Sequence, residues 1–317
     1  MMRCPSGLAS PDPFLNVDAS KERRVAPKNI VRVVLWMSGA LLLFSAMAVS
    51  VRVLAATLGV MEILALRAGL GLMVMAALAA LRADLRATIN CRHLPLQLLR
   101  NTVHLGASYL WATSLLLIPL ATAFALEFTT PAWTLLLAAP VLGERLTASR
   151  IGAVVFGLLG VLLILRPGLA TFQPGALLTL VAAFGLAIAL IATKKLTRTE
   201  STFAIVFWMN VIQLALALLF AGPFFAGKLT LDLAPAVAGI GAAGLFAHFC
   251  LSNAFRAGDA SVVVPLDFMR IPLIAVIGWW LYGERLDVFV FLGAGLIITG
   301  VLWNLRSEAA RVQGSEH

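Results

Sequence analysis

Long apolar stretches separated by short polar breaks dominate this chain. A helix that crosses hydrocarbon needs about 20 apolar residues. Ten segments fit: 33–51, 59–81, 97–118, 121–142, 149–165, 175–193, 202–222, 235–255, 260–281 and 287–304. The breaks between them carry charge, Gly or Pro, as at Arg52, Pro119, Gly143-Glu144-Arg145, Arg166-Pro167-Gly168, Lys228 and Gly283-Glu284-Arg285. Most are too short to hold a soluble domain. The pattern predicts an all-α integral membrane protein with ten transmembrane helices. Residues 1–29, with Pro5, Pro11, Pro13 and Pro27, read as a disordered cytoplasmic tail, and 307–317 as a second tail. No apolar run precedes residue 30, so the first helix rather than a cleavable signal peptide is expected to direct insertion.

Composition agrees. Of 317 residues 61% are hydrophobic and 12% charged, with a mean hydropathy of +0.97, whereas a soluble domain carries about 25% charge. The net charge of +9 suggests nucleic acid until its placement is read. With the N-terminus inside, only Arg52, Arg166, Lys228 and Arg285 fall on the outer side and Arg67 and Arg270 within helices. The rest of the 24 Lys and Arg face inward. That bias is the positive-inside signal. It puts both termini in the cytoplasm, makes the bacterial inner (plasma) membrane the expected location, and removes the case for nucleic acid.

The chain also repeats itself. Shifted by 140 residues, Gly143-Glu144-Arg145-Leu146 falls on Gly283-Glu284-Arg285-Leu286, Phe44 on Phe184, Phe128 on Phe268 and Glu127 on Asp267. Each half, 30–168 and 169–306, then holds five helices. An odd number makes the second half enter the membrane from the opposite side, so the expected fold is two inverted five-helix repeats. Such repeats place a substrate site near the midplane between the halves.

The stretch Pro119-Leu-Ala-Thr-Ala-Phe-Ala-Leu-Glu-Phe-Thr-Thr-Pro131, followed by Leu142-Gly-Glu-Arg145, and its partners Pro265-Leu-Asp-Phe-Met-Arg270 and Gly283-Glu-Arg285 resemble the drug/metabolite transporter superfamily, specifically the EamA-type ten-helix carriers. The resemblance covers roughly residues 33–306 and implies a secondary carrier. Similar proteins export amino acids or take up riboflavin or S-adenosylmethionine, so the resemblance does not fix the cargo.

Charges inside the spans mark candidate chemistry, because a charged side chain at the bilayer centre costs about 2.5–3.5 kcal/mol on insertion scales. Glu127 and Arg67 lie roughly 10–12 Å deep from the outer side, at 1.5 Å rise per residue. Asp267 and Arg270, spaced i,i+3, share one side of the ninth helix. Two readings stay open: the four line a central cavity, binding substrate or carrying a coupling proton, or Glu127–Arg67 and Asp267–Arg270 are neutralised pairs that hold helices together. Further substrate-binding candidates are His104, Tyr109, Trp111 and Ser114 in the third segment and His248 and Asn253 in the eighth, with Trp208, Asn210 and Gln213 in the seventh. Tyr109 and Trp111 lie away from the interfacial belts where such rings usually rest, and suit a planar group; ordinary helix packing explains them too. Trp279, Trp280 and Tyr282 read as belt anchors.

Pro131 and Pro272 interrupt the fourth and ninth segments and Pro265 lies near the inner end of the ninth. Proline removes a backbone donor and bends helices, so all three are hinge candidates. Glu144 and Glu284 suit the N-termini of the helices that follow them. Gly152, Gly157 and Gly160 in the fifth segment, with Gly293, Gly295 and Gly300 in the tenth, allow close contact and suit a homodimer.

Other chemistries lack residues. Cys4, Cys91 and Cys250 lie far apart, the four histidines show no metal spacing, and no Walker loop is present, so no metal and no cofactor is expected. No clustered nucleophile or acid pair points to an enzyme. A scaffold or sensor would need a larger domain than these loops provide. The expected partners are the lipid bilayer and a small organic metabolite with charged and flat parts, amino acids first, with riboflavin-like or S-adenosylmethionine-like compounds as alternatives.

Overall fold

The computed structural model describes residues 30–142, 148–165, 173–196, 199–222, 225–257, 266–267 and 269–314. The tail 1–29, the turn Gly143-Glu144-Arg145 and the hinge candidate Pro265 lie outside the described residues, as does the side chain of His248. Among the described residues the chain is helical and has no strand. Its helices are α1 (Ile30–Leu54), α2 (Val60–Leu81), α3 (Ala83–Ala87), α4 (Leu94–Leu117), α5 (Leu120–Glu127), α6 (Thr130–Leu142), α7 (Ala148–Leu165), α8 (Pro174–Leu196), α9 (Thr202–Phe220), α10 (Ala234–Ala257), α11 (Arg270–Tyr282) and α12 (Val288–Gly314). Val31–Leu54, Val60–Leu81, Pro174–Leu196, Thr202–Phe220 and Leu231–Leu251 are long and apolar enough to cross a membrane; Ile151–Ile164, Arg270–Tyr282 and Val288–Asn304 are shorter apolar helices. α12 runs on to Gly314, through most of the segment expected as a tail.

Local chemistry sets several ends. Ser201 Oγ accepts the Ala204 N–H at 3.1 Å and starts α9. Glu62 accepts the Gly59 N–H at 2.8 Å across the first turn of α2, a capping arrangement. Gly283 ends α11 with φ +62°, a left-handed conformation that glycine adopts without a Cβ clash. Its N–H and that of Glu284 both return to α11, to Trp279 O and Gly278 O.

The fourth apolar segment is two helices rather than one. α5 stops at Glu127 and α6 starts at Thr130. Pro131 has no N–H to give the Glu127 carbonyl four residues back. The Thr130 hydroxyl supplies that bond at 2.7 Å, and the Thr129 hydroxyl bonds Leu126 O at 2.7 Å. Pro131 thus sits in the first turn of α6, and Pro272 in the first turn of α11. In a first turn the missing donor has no intrahelical partner to lose. Neither proline kinks a continuous helix, as the sequence suggested; Pro131 follows a break at Phe128-Thr129.

The helices pack in pairs: α1 on α10, α4 on α8, α2 on α9, α7 on α12 and α5 on α11. The 140-residue shift carries α4 (Leu94–Leu117) onto α10 (Ala234–Ala257) and α6 (Thr130–Leu142) onto α11 (Arg270–Tyr282). It also turns the pair α1–α10 into α8–α4. The largest core, around Phe124, Leu115, Leu120, Leu126 and Ile274, lies where α4, α5 and α11 meet. Leu35, Leu219, Phe220 and Trp280 are by contrast more than 65% exposed. Apolar surface this extensive marks a face that lipid or a partner covers.

The glycines of α7 and α12 face one another within the chain. A Cβ on Gly160 would lie 2.5 Å from Gly293 O and 2.6 Å from Ile297, and one on Gly293 would lie 2.6 Å from Gly160 O. Gly152 faces Trp303 and Gly300 faces Phe156 and Ala153. Most of the surface expected to suit a homodimer is therefore used between these two helices. Gly160→Leu is expected to push α12 off α7 and to cost at least ~1–3 kcal/mol, the usual range for overpacking. Thermal unfolding of purified protein checks it, with Gly295→Leu, whose position opens on empty space, as the unaffected control.

Candidate functional site

α4 and the break after α5 bring the candidate residues together. The Trp111 indole N–H, on α4, donates to Glu127 Oε2 at 2.7 Å. Trp111 is buried and meets Phe124 edge-to-face at 5.8 Å. Glu127 is half-buried, and the indole N–H is the hydrogen bond its carboxylate receives among the described residues. Arg270 forms an ion pair with Asp267. Its guanidinium stands 4.1 Å from the Phe44 ring centre, 5.5 Å from Phe128 and 5.9 Å from Phe124. These are cation–π distances. Phe124 touches both Trp111 and Arg270, so the two acids and the buried cation belong to one region lined by α1, α4, α5 and α11. Arg270 Nε is buried and makes no hydrogen bond.

Arg67 does not pair with Glu127. Its Nη2 donates to Gln213 Oε1 at 3.2 Å on α9, and its stem lies against Gly244 on α10. Trp111 occupies the Glu127 carboxylate instead. Gln213 Nε2 lies 2.8 Å from His104 Nδ1, and Ser108 Oγ lies 3.4 Å from the same nitrogen. His104, Ser108 and Trp111, spaced i, i+4 and i+7, share one face of α4.

Four candidates fall elsewhere. Tyr109 is two residues from Trp111, so it points to nearly the opposite side of the helix, and it is exposed. The flat surface near Glu127 therefore comes from Trp111 with Phe124, not from Tyr109. Ser114 is buried with its hydroxyl on Trp111 O at 2.7 Å. Asn253 is half-buried and donates to Phe249 O at 2.8 Å. Its register mate Thr113 does the same to Tyr109 O at 2.8 Å. Trp208 donates to Asn90 O at 2.8 Å.

A second cluster escaped the sequence reading. Arg52, at the end of α1, donates to Leu115 O at 2.6 Å and Ile118 O at 2.8 Å. It also forms an ion pair with Glu284 and lies 4.7 Å from the Tyr282 ring centre. Glu284 accepts the Leu120 N–H at 3.0 Å, so it serves the start of α5 rather than the helix that follows it. Gly283 turns the chain back and Gly278 leaves room for the carboxylate. Trp279 and Trp280 are exposed as belt residues would be; Tyr282 instead covers Arg52. Glu62, also unanticipated, holds Lys228 Nζ at 2.8 and 3.0 Å. No group of three metal-ligating side chains occurs among the described residues.

Comparison with known proteins adds a family. The EamA-like transporter family matches residues 31–166 and 173–306. A riboflavin transporter of Rhizobium johnstonii is 32% identical over 207 residues, 63% of this chain and 67% of that protein. An S-adenosylmethionine uptake transporter of Rickettsia prowazekii is 28% identical, over 62% of this chain and 67% of that one. The pseudopaline exporter CntI of Pseudomonas aeruginosa is 27% identical over 262 residues, 82% of this chain and 90% of that one. A solved crystal structure covering 86% of this chain and 94% of its own superposes with a TM-score of 0.57 at 21% identity. At that identity the likeness concerns the fold alone.

Proposed function

The chain belongs to the EamA-like transporter family, and on that premise we propose that it is a secondary transporter moving a small organic metabolite across the bacterial inner membrane by alternating access. The observation that carries the reading is the meeting of Glu127, Trp111 and the Asp267–Arg270 pair around Phe124. Charge in a membrane interior is expensive and is retained where it works. Here it stands beside flat aromatic surface, which a bare ion does not need. The cargo then carries both a charged group and a planar or apolar part. Amino acids and related compounds fit, and the riboflavin and S-adenosylmethionine transported by relatives are the alternatives. Glu127, held by a neutral indole N–H, is also the group placed to carry a coupling proton.

The proposed frame is ten transmembrane helices in two inverted repeats, 30–168 and 169–306, with both termini in the cytoplasm. The matched helix boundaries and the exchange of α1–α10 for α8–α4 support it, as does the charge bias. Reporter fusions are expected to read inside at residue 90 and outside at 170 and 228; an external C-terminus would contradict the frame. For transport, purified protein in proteoliposomes is loaded with members of a metabolite panel and tested for counterflow. Saturable exchange of at least one organic metabolite is expected. Folded protein that exchanges none would favour a scaffold or sensor.

A further inference from the structure

Arg67 stands where α2, α4, α9 and α10 meet, and its surroundings are built for it. Gln213 holds its Nη2 at 3.2 Å, His104 meets Gln213 at 2.8 Å, and a Cβ on Gly244 would come within 3.2 Å of the Arg67 Cγ. A guanidinium stays ionised, and an interior charge normally has a counter-charge. Among the described residues Arg67 has none within ion-pair distance. Among the described residues the buried acids Glu62 and Glu200 are engaged with Lys228 and Asn90, and the half-buried Glu127, Asp267 and Glu284 with Trp111, Arg270 and Arg52. Arg100, one turn before His104 on α4, is buried with neutral partners only, Thr193 at 2.7 Å and Asn101 at 2.8 Å. This side of the interior therefore carries cations held by neutral groups, and the Glu127 side carries a carboxylate held by a neutral indole N–H.

We propose that Arg67, backed by Gln213 and His104, is the anion end of the cargo site and takes a carboxylate of the transported molecule. The inference rests on the reading that Glu127 and Trp111 hold the same molecule. His104 and Trp111 are seven residues apart on one face of α4, about 10 Å along the axis. A simple α-amino acid, with both charges on neighbouring atoms, does not span that interval. The substrate class is an elongated zwitterion, with a carboxylate at one end, a cationic group at the other and an apolar or flat part between. A cargo without an anionic group, such as riboflavin itself, leaves Arg67 unmatched.

The test is binding to the purified full chain, read as thermal stabilisation on titration with glycine, 4-aminobutanoate, 6-aminohexanoate, 8-aminooctanoate and the methyl ester of the last, with sodium chloride as control. Affinity is expected to rise with chain length, and the best acid to bind roughly tenfold or more tighter than its ester, as a charge-assisted hydrogen bond implies. Arg67→Gln should bring the acid down to the ester without changing ester binding. Arg67→Lys should keep part of the difference, and Glu127→Gln should weaken acid and ester alike. Glycine binding as tightly as the long acids, an ester equal to its acid, stabilisation by chloride alone or by nothing at all would each overturn the proposal. The acid–ester comparison needs no variant, so a misfolded Arg67→Gln leaves the test intact. Carboxylate-dependent binding without counterflow of any metabolite would end the transport reading and leave this site standing; counterflow without carboxylate dependence would do the reverse.

Discussion

Arg270→Gln is expected to stop transport and to lower stability by about 3–5 kcal/mol, the usual cost of removing one partner of a buried ion pair. Arg270 is 6% exposed. Its charge is shared between Asp267 and three rings, Phe44, Phe124 and Phe128. Take the guanidinium away and the Asp267 carboxylate, 22% exposed, is left without its cation. The rings also lose the charge they surround, and each such contact is worth about 0.5–2 kcal/mol. Removing both charges together in Asp267→Asn/Arg270→Gln deletes the stranded carboxylate, so stability should recover in large part while transport does not. Thermal unfolding in detergent micelles, read beside flux in proteoliposomes, separates the two effects. A single variant that unfolds at the wild-type temperature would show that the pair is not the buried anchor described here.

Much of this arrangement was legible in the chain. Helix positions follow from runs of apolar residues, and the 140-residue register already joined Glu127 to Asp267 and Phe128 to Phe268. The Asp267–Arg270 pair was legible from the i,i+3 spacing, although Asp267 lies ahead of α11, which begins at Arg270. Long-range pairing was not legible. Depth alone made Arg67 a partner for Glu127, yet depth says nothing about direction around a helix. The structure sends Arg67 to Gln213 and gives Glu127 to Trp111. The rotation that separates Tyr109 from Trp111 was implicit in helical geometry, but both rings were read as one surface.

The Arg52–Glu284 cluster is not legible for a related reason. Arg52 and Glu284 lie 232 positions apart in what the pattern treats as loops, and only folding brings them to the ends of α4 and α5. The signal that was available is the recurrence of the Gly-Glu-Arg turn, read as a helix start. Glu62 was overlooked because it sits at the edge of an apolar run, where Lys228 reaches it across the fold. The proline reading failed on position. A proline in a first turn begins a helix without breaking one, and the threonines beside Pro131 take up the exposed carbonyls.

The second large effect concerns Glu127. Trp111 fixes its orientation through one 2.7 Å bond, and in the proposed site the Glu127 carboxylate meets the cargo. Glu127→Gln keeps size and hydrogen bonding but removes the charge. Trp111→Phe keeps a ring against Phe124 and removes only the N–H. A charge-assisted hydrogen bond contributes about 1.5–3 kcal/mol, so Glu127→Gln should slow transport by roughly 10–100-fold. Trp111→Phe should have a smaller effect, because Glu127 itself remains. The most direct test is the initial rate of metabolite exchange in proteoliposomes for wild type, Glu127→Gln, Asp267→Asn and Trp111→Ala, each confirmed folded and inserted. The site described here predicts a severe loss for both acids and a clear loss for Trp111→Ala. Wild-type rates in all three would reduce these residues to scaffolding and place the cargo elsewhere.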